Sequence, residues 1–229
     1  MFKSEKSLVN LFQRKSKYFL KKILNKDSKY FFTLHEFDSN HGIADIVIGT
    51  YCPYFANRAN RPYINSNWIV YLNNLSLHQS FTIDEYLNKF NISKTTAYKH
   101  IQEFADAGFI KTTTENYKLI KEYKTVVNNA ISIEAKLKNW QKALEQARRY
   151  QRFSLQSFVL LDNHFVSPSL KNIETFKKYN VGLMSLSTDE LLEIHFIPKI
   201  NKSPQDCHMN FKLNEEAYKY FINNYLEST

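Results

Sequence analysis

The apolar pattern of this chain switches repeatedly between helical and strand periods, and that constrains its fold more than any single residue does. YFFTLHEF (30–37) and GIADIVIG (42–49) are aromatic or β-branched runs joined by the turn-like DSNH, and they read as a strand hairpin. From residue 67 to about 119 the period becomes helical. At 130 strand texture returns with AISIEAKL, SFVLLD, VGLMSLS and LLEIHFIP, alternating with helical stretches and closed by a helix near NEEAYKYFINNYL. Strands alternating with helices predict an α/β domain, here interrupted by a separate helical insert. The expected division is a discontinuous core of 1–54 with 124–229 around an insert of 55–123. The aperiodic YCPYFANRANRPYINSN, with Arg58 and Arg61, reads as the linker into that insert.

A first helix is expected over Ser4–Leu24, where Leu8, Leu11, Phe12, Phe19 and Ile23 recur at helical spacing and Lys6, Arg14, Lys15, Lys17, Lys21 and Lys22 occupy the rest. Its apolar stripe suits either a sheet face or a membrane surface, and packing on the sheet is the more economical reading. No run approaches the length of a membrane span, and the N-terminus lacks the apolar stretch of a signal peptide, so a soluble, unprocessed, cytoplasmic protein without a membrane partner is expected. The two cysteines, Cys52 and Cys207, form no CxxC pair and suggest neither a zinc site nor a disulfide framework. With four glycines and no glycine-rich loop, the chain does not look like an ATPase, kinase or nicotinamide enzyme. His35, His41, His164, His195 and His208 lack metal-ligand spacing and read as ordinary residues. A formal net charge of +9 favours an anionic partner, although coding bias alone also produces such usage.

The chemically pointed stretch is AISIEAKL. In a strand, Ile131, Ile133, Ala135 and Leu137 face one way while Ser132, Glu134 and Lys136 face the other, so two opposite charges share a face. A solvated edge-strand pair is one explanation. The company of these residues argues for another. GIADIVIG sets Asp45 among apolar neighbours, and FFTLHEF offers His35 and Glu36 beside it. Carboxylates converging from adjacent strands make an oxygen-rich site for a hard divalent cation, and a lysine beside them can hold water or phosphate and neutralise developing charge. That set suits phosphodiester hydrolysis. In the following helix Trp140, Ala143, Leu144, Ala147 and Gln151 share one face, with Tyr150 at its margin and Gln146 just beyond, over the site.

The order of helix, Asp-bearing hairpin, Glu-x-Lys strand and Gln-x-x-x-Tyr helix resembles the PD-(D/E)XK or restriction-endonuclease-like superfamily, especially its RecB-like branch. The resemblance covers residues 1–50 and 126 to about 190. It implies a mixed-sheet core flanked by helices, with Asp45, Glu134 and the Ala135 carbonyl binding Mg²⁺ or Mn²⁺. It also implies that Lys136 positions the water and that Gln146, with Tyr150, carries the helix motif. Glu5 sits where many members keep an acidic residue on the first helix, but an acid there also suits the helix dipole. Asp45 follows Ala instead of Pro, and the stretch between Asp45 and Glu134 is far longer than the usual hairpin connection, which an inserted domain accounts for.

The insert, FTIDEYLNKFNISKTTAYKHIQEFADAGFIKTTTENYKL, looks like a winged helix-turn-helix. Ser93 is the expected N-cap of a recognition helix that buries Ala97, Ile101 and Phe104 or Ala105, and Gly108 stops it. Its N-terminal side chains Lys94, Thr95, Thr96, Tyr98, Lys99 and His100 are the DNA-binding candidates, with Lys111 and Lys118 on wing phosphates and Arg149 and Tyr150 as further DNA contacts from the core. Such modules also serve dimerisation and protein docking. The combined expectation is a Mg²⁺- or Mn²⁺-dependent endonuclease acting on double-stranded DNA, with RNA or branched DNA left open. A homodimer would suit cutting both strands. The alternatives are a non-catalytic DNA-binding regulator on a nuclease-like scaffold and a docking module of a larger complex.

Overall fold

The computed structural model describes residues 1–25, 27–40, 42–53, 55, 61–201 and 207–226, with 207–209 described by backbone alone. His41 of the expected turn, Arg58 of the linker and the side chain of His208 lie outside the described residues. In chain order the elements are α1 (Glu5–Leu24), β1 (Phe31–Asp38), β2 (Ile43–Tyr51), α2 (Ile69–Asn73), β3 (Ser80–Phe81), α3 (Ile83–Phe90), α4 (Lys94–Asp106), β4 (Ile110–Thr112) and β5 (Tyr117–Leu119). They continue with β6 (Val127–Lys136), α5 (Trp140–Tyr150), β7 (Gln156–Asp162), α6 (Ser167–Lys171), α7 (Ile173–Tyr179), β8 (Gly182–Leu186), β9 (Leu192–Phe196) and α8 (Cys207–Phe221). Contacts divide the chain into two units, Met1–Pro53 with Val127–Asn210, and Tyr54–Val126 with Phe211–Thr229.

The first unit is a mixed α/β layer structure. Its six-stranded sheet runs β1-β2-β6-β7-β8-β9, parallel at β6/β7 and β7/β8 and antiparallel elsewhere. The parallel steps need crossover connections, which α5 and the α6–α7 pair supply. On one face Leu8, Phe12 and Phe19 of α1 pack on Ile46, Ile48, Ile131, Ile133, Phe158 and Met184. On the other, Ala143, Leu144 and Ala147 of α5 and Phe176 of α7 cover Val159, Leu161 and Leu183. Burying each such large side chain contributes about 1.5–3 kcal/mol. Covered on both faces, β7 is buried along its whole length and reads as a nearly continuous apolar run.

Local chemistry sets where α1 begins and ends. The Ser4 hydroxyl accepts from the Ser7 amide at 3.2 Å and the Ser7 side chain returns the contact, while Asn25 closes the helix in the left-handed conformation, φ 49°. This fixed start places Glu5 in the first turn.

In the second unit β3, β5 and β4 form a small antiparallel sheet. Its core gathers Tyr86 of α3, Ala97, Ile101 and Phe104 of α4, and Phe109 and Leu119. Thr82 and Glu85 form a capping box at the start of α3, and Ser93 caps α4 through the Thr96 amide at 3.2 Å. Gly108 follows α4 with φ +73°, a conformation that favours glycine.

The closing helix corrects the expected boundaries. Residues 124–229 do not all join the sheet: Phe211–Thr229 belongs to the second unit. Polar anchors explain this. Asn214 Oδ1 of α8 accepts from the Val126 amide at 2.7 Å, and Glu215 takes both prongs of the Arg61 guanidinium, at 2.6 and 3.1 Å. Among the described residues, no helix is long and apolar enough to cross a membrane.

Candidate active site

Ile46 of β2 pairs with Ile133 of β6, and both point into the α1 side of the core. One step along each strand, just beyond this last pair, stand Asp45 and Glu134. The contact is direct at the backbone: Asp45 Oδ2 accepts from the Ala135 amide at 2.7 Å. Because β6 lies between β2 and β7, Glu134 is only 1% exposed, so the Glu134–Lys136 pair is not a solvated edge-strand pair.

Lys136, at the end of β6, turns its ammonium back over these groups. Nζ lies 2.8 Å from Glu134 Oε1, 3.0 Å from the Ala135 carbonyl oxygen, 3.3 Å from Glu5 Oε2 and 4.0 Å from Asp45 Oδ2. Three carboxylates and a carbonyl thus converge on one cation, brought together from α1, β2 and β6.

The electrostatics record the crowding. Burial raises the Glu134 carboxyl above its ordinary range, the Asp45 charge adds to the rise, and the bonds from Lys136 and Tyr150 only partly oppose it. Burial likewise raises Asp45 against the Ala135 amide and the Lys136 charge, with Glu5 and Glu36 pushing further up. For Lys136 burial acts downward, but the Glu134 bond and the Glu134, Asp45 and Glu5 charges outweigh it, so its pKa is raised. The ammonium is the stable form.

Helix α5 supplies the lid over Glu134. The Tyr150 hydroxyl lies 2.7 Å from Glu134 Oε2 and 2.7 Å from the Ile43 carbonyl oxygen. It has one hydrogen for two acceptors. Burial first, then the Glu134 bond, raises the Tyr150 phenol. One turn earlier on the same helix, Gln146 Oε1 is buried with no hydrogen-bond partner among the described residues.

The structure corrects two expected DNA contacts. Tyr150 is fully buried, and its hydroxyl is committed to Glu134 and Ile43, so it positions the site instead of touching nucleic acid. His100 is 1% exposed, with Nδ1 3.2 Å from the Tyr86 hydroxyl and its ring against Trp68 and Tyr71. Both could have been found from spacing, since Ala143, Ala147 and Tyr150, and Ala97, His100 or Ile101, and Phe104, recur at the helical period on buried stripes. By contrast Lys94, Thr95, Tyr98 and Lys99 are exposed on α4, Lys111 is exposed on β4, and Arg149 is exposed on α5. Thr96 is half-buried, its hydroxyl 2.8 Å from that of Ser93.

One feature had no sequence signal. Glu36 lies within β1 with φ 48°, in the left-handed region that a non-glycine rarely adopts in a strand. The pairs His35↔Ile46 and Phe37↔Ala44 bracket it, which sets it beside Asp45.

Among the described residues no group of three or more His, Cys, Asp and Glu side chains is arranged to hold a metal ion. A hard cation such as Mg²⁺ needs fewer protein ligands, because it keeps several waters and binds through one or two carboxylates. The all-oxygen donor set of Asp45, Glu134 and the Ala135 carbonyl fits that chemistry, and it already collects a cation in the form of the Lys136 ammonium. No protein-family model, curated protein or solved structure matches this chain.

Proposed function

We propose that the first unit is a metal-dependent nuclease of the PD-(D/E)XK, restriction-endonuclease-like kind that hydrolyses DNA phosphodiester bonds. The second unit, on this reading, is a winged helix-turn-helix that delivers it to duplex DNA. One observation carries the proposal: the carboxylates of Glu5, Asp45 and Glu134 and the Ala135 carbonyl gather around a single ammonium within 4.0 Å. Oxygens in such excess over the cation beside them are suited to a second, divalent cation.

Asp45, Glu134 and the Ala135 carbonyl would hold Mg²⁺ or Mn²⁺, which when bound polarises a phosphoryl oxygen and lowers the pKa of water. The other roles belong to the chain itself. Lys136, charged and tethered at the end of β6, orients water and offsets negative charge developing on the phosphate. Tyr150 fixes the Glu134 carboxylate by its 2.7 Å hydrogen bond, and Gln146 offers its unpartnered amide oxygen from the turn before. In the second unit Lys94, Thr95, Tyr98 and Lys99 form the exposed start of α4, the part of a recognition helix that meets base edges and phosphates. The net charge of +9 favours the same polyanion.

The test is incubation of supercoiled plasmid with the purified chain in Mg²⁺, Mn²⁺ or EDTA, alongside Lys136→Ala and Asp45→Ala. Nicking or linearisation that needs metal and falls by about a hundredfold or more in both variants is expected. Salt-sensitive DNA binding with no cleavage in either metal would sink the nuclease reading and favour a non-catalytic regulator.

A further inference from the structure

A groove of about 370 Å³ opens beside the carboxylates, between α1 and the edge strand β1. Its α1 wall carries Lys6, Asn10 and Gln13, which recur at four and three residues and so share one exposed face, with Val9 half-buried beneath them. The β1 wall is His35 and Glu36, and Asp45 and Glu5 line the inner end. Among the described residues, Asn10 and Gln13 make no side-chain hydrogen bond, so both amides are available to a ligand.

Charge and size decide what fits. At the inner end Glu5 and Asp45 share the Lys136 ammonium, and Glu36 offsets Lys6 across the groove, so it presents no net cationic surface to a phosphate. A neutral ligand with a donor–acceptor edge matches the two amides and His35, and Val9 offers it an apolar floor. The volume is at the small end for ligand pockets, sized for one nucleotide instead of a duplex. Glu36, in the left-handed conformation, stands on the β1 wall opposite Asp45.

We infer that this groove is a nucleobase pocket, which receives an unpaired base of the strand being cut, next to the phosphate held at Asp45. This rests on the nuclease reading and sharpens its substrate: DNA locally opened or carrying a single-stranded flap. Asn10 and Gln13 bind the base edge, and the phosphates stay at the cation, since the groove presents them no net cationic surface.

The experiment compares three labelled substrates in Mn²⁺: a blunt duplex, the same duplex with a short single-stranded flap, and that flap built from abasic sugars. The chains are the native protein, Asn10→Ala/Gln13→Ala, and Lys17→Ala as a control from the same helix. The native chain should cut the flap at least about tenfold faster than the blunt duplex, which must first unpair and unstack a base. Asn10→Ala/Gln13→Ala should raise KM on the flap about tenfold with kcat little changed, and lose its difference from the native chain on the abasic flap. Equal rates on flap and blunt duplex, or an unchanged KM in the double variant, would overturn the pocket while leaving the nuclease intact. If the native chain cuts nothing, the nuclease reading fails and the pocket is judged by anisotropy of labelled oligothymidylate in Ca²⁺. There, binding weakened in the double variant and not in Lys17→Ala supports it, and equal binding in all three chains rejects it.

Discussion

Each unit of this protein buries a carboxylate against a cation, and the two pairs are built on opposite principles. In the second unit Glu215 is fully satisfied: Oε1 accepts from Arg61 Nη2 at 2.6 Å and the Tyr123 hydroxyl at 2.8 Å, and Oε2 from Arg61 Nη1 at 3.1 Å and the Ile64 amide at 2.9 Å. The guanidinium also lies 4.2 Å from the Tyr218 ring centroid. Four donors meet two oxygens, and nothing is left to bind. In the first unit Glu5, Asp45 and Glu134 share one ammonium, the Tyr150 hydroxyl has one hydrogen for two acceptors, and Gln146 Oε1 has no partner among the described residues. A closed pair holds elements together, whereas an under-satisfied one is poised for a ligand.

The largest effect expected from this contrast is on stability. Glu215→Ala strands a guanidinium that is 9% exposed and removes the acceptor for Tyr123 and Ile64, so it should cost about 3–5 kcal/mol in urea unfolding of the full chain. Asp45→Asn, in metal-free buffer, should leave stability unchanged or raise it, because it relieves repulsion among carboxylates. A Glu215→Ala cost below about 1 kcal/mol would break the contrast, since surface pairs already reach that value.

A smaller effect separates the pairs by pH. Asp45 and Glu134 both have raised pKa values, so the folded chain holds these protons more tightly than the unfolded chain does. Their contribution is fully present below the unfolded carboxylate pKa and is lost as pH rises through the folded values. Metal-free Tm should therefore fall by a few degrees as pH rises above the ordinary carboxylate range. Asp45→Asn/Glu134→Gln should remove that part of the slope, and saturating Mg²⁺ should flatten it by replacing the protons. A native slope identical to that of the double variant would show that the carboxylates are not crowded in solution.

Much of this contrast was legible in the sequence on one side only. Period-two alternation in AISIEAKL sets Glu134 and Lys136 on one face, and helical spacing marks α1, because both patterns are local. The β6 strand runs Val127–Lys136 where 130–137 reads as strand, because strand ends carry little local signal. What could not be read was non-local. Arg61 and Glu215 meet across 154 positions, so nothing in NEEAYKYFINNYL announces that its helix leaves the sheet for the other unit. The left-handed Glu36 is equally silent, since its neighbours all favour extended strand. Tyr150 and His100 were legible as buried positions, and reading them as contacts gave residue type more weight than period.

The smallest effect runs the same contrast inside one helix, between adjacent residues. Lys99 is exposed on α4 while His100, next to it, is 1% exposed and bonded to Tyr86, and burial lowers its pKa so that it stays neutral. If α4 meets DNA, Lys99→Ala should weaken binding severalfold on any sequence and reduce the slope of log affinity against log salt by about one, with no change in Tm. His100→Ala should do the reverse. It leaves a cavity beside Trp68, Tyr71 and Phe104 and removes the partner of the Tyr86 hydroxyl, so it should lower Tm by several degrees while the salt slope of the remaining folded protein stays unchanged. A Lys99→Ala chain with the native salt slope would mean that this face of α4 meets no phosphate, and the positive charge would then have to act through other exposed cations such as Lys94 or Lys111.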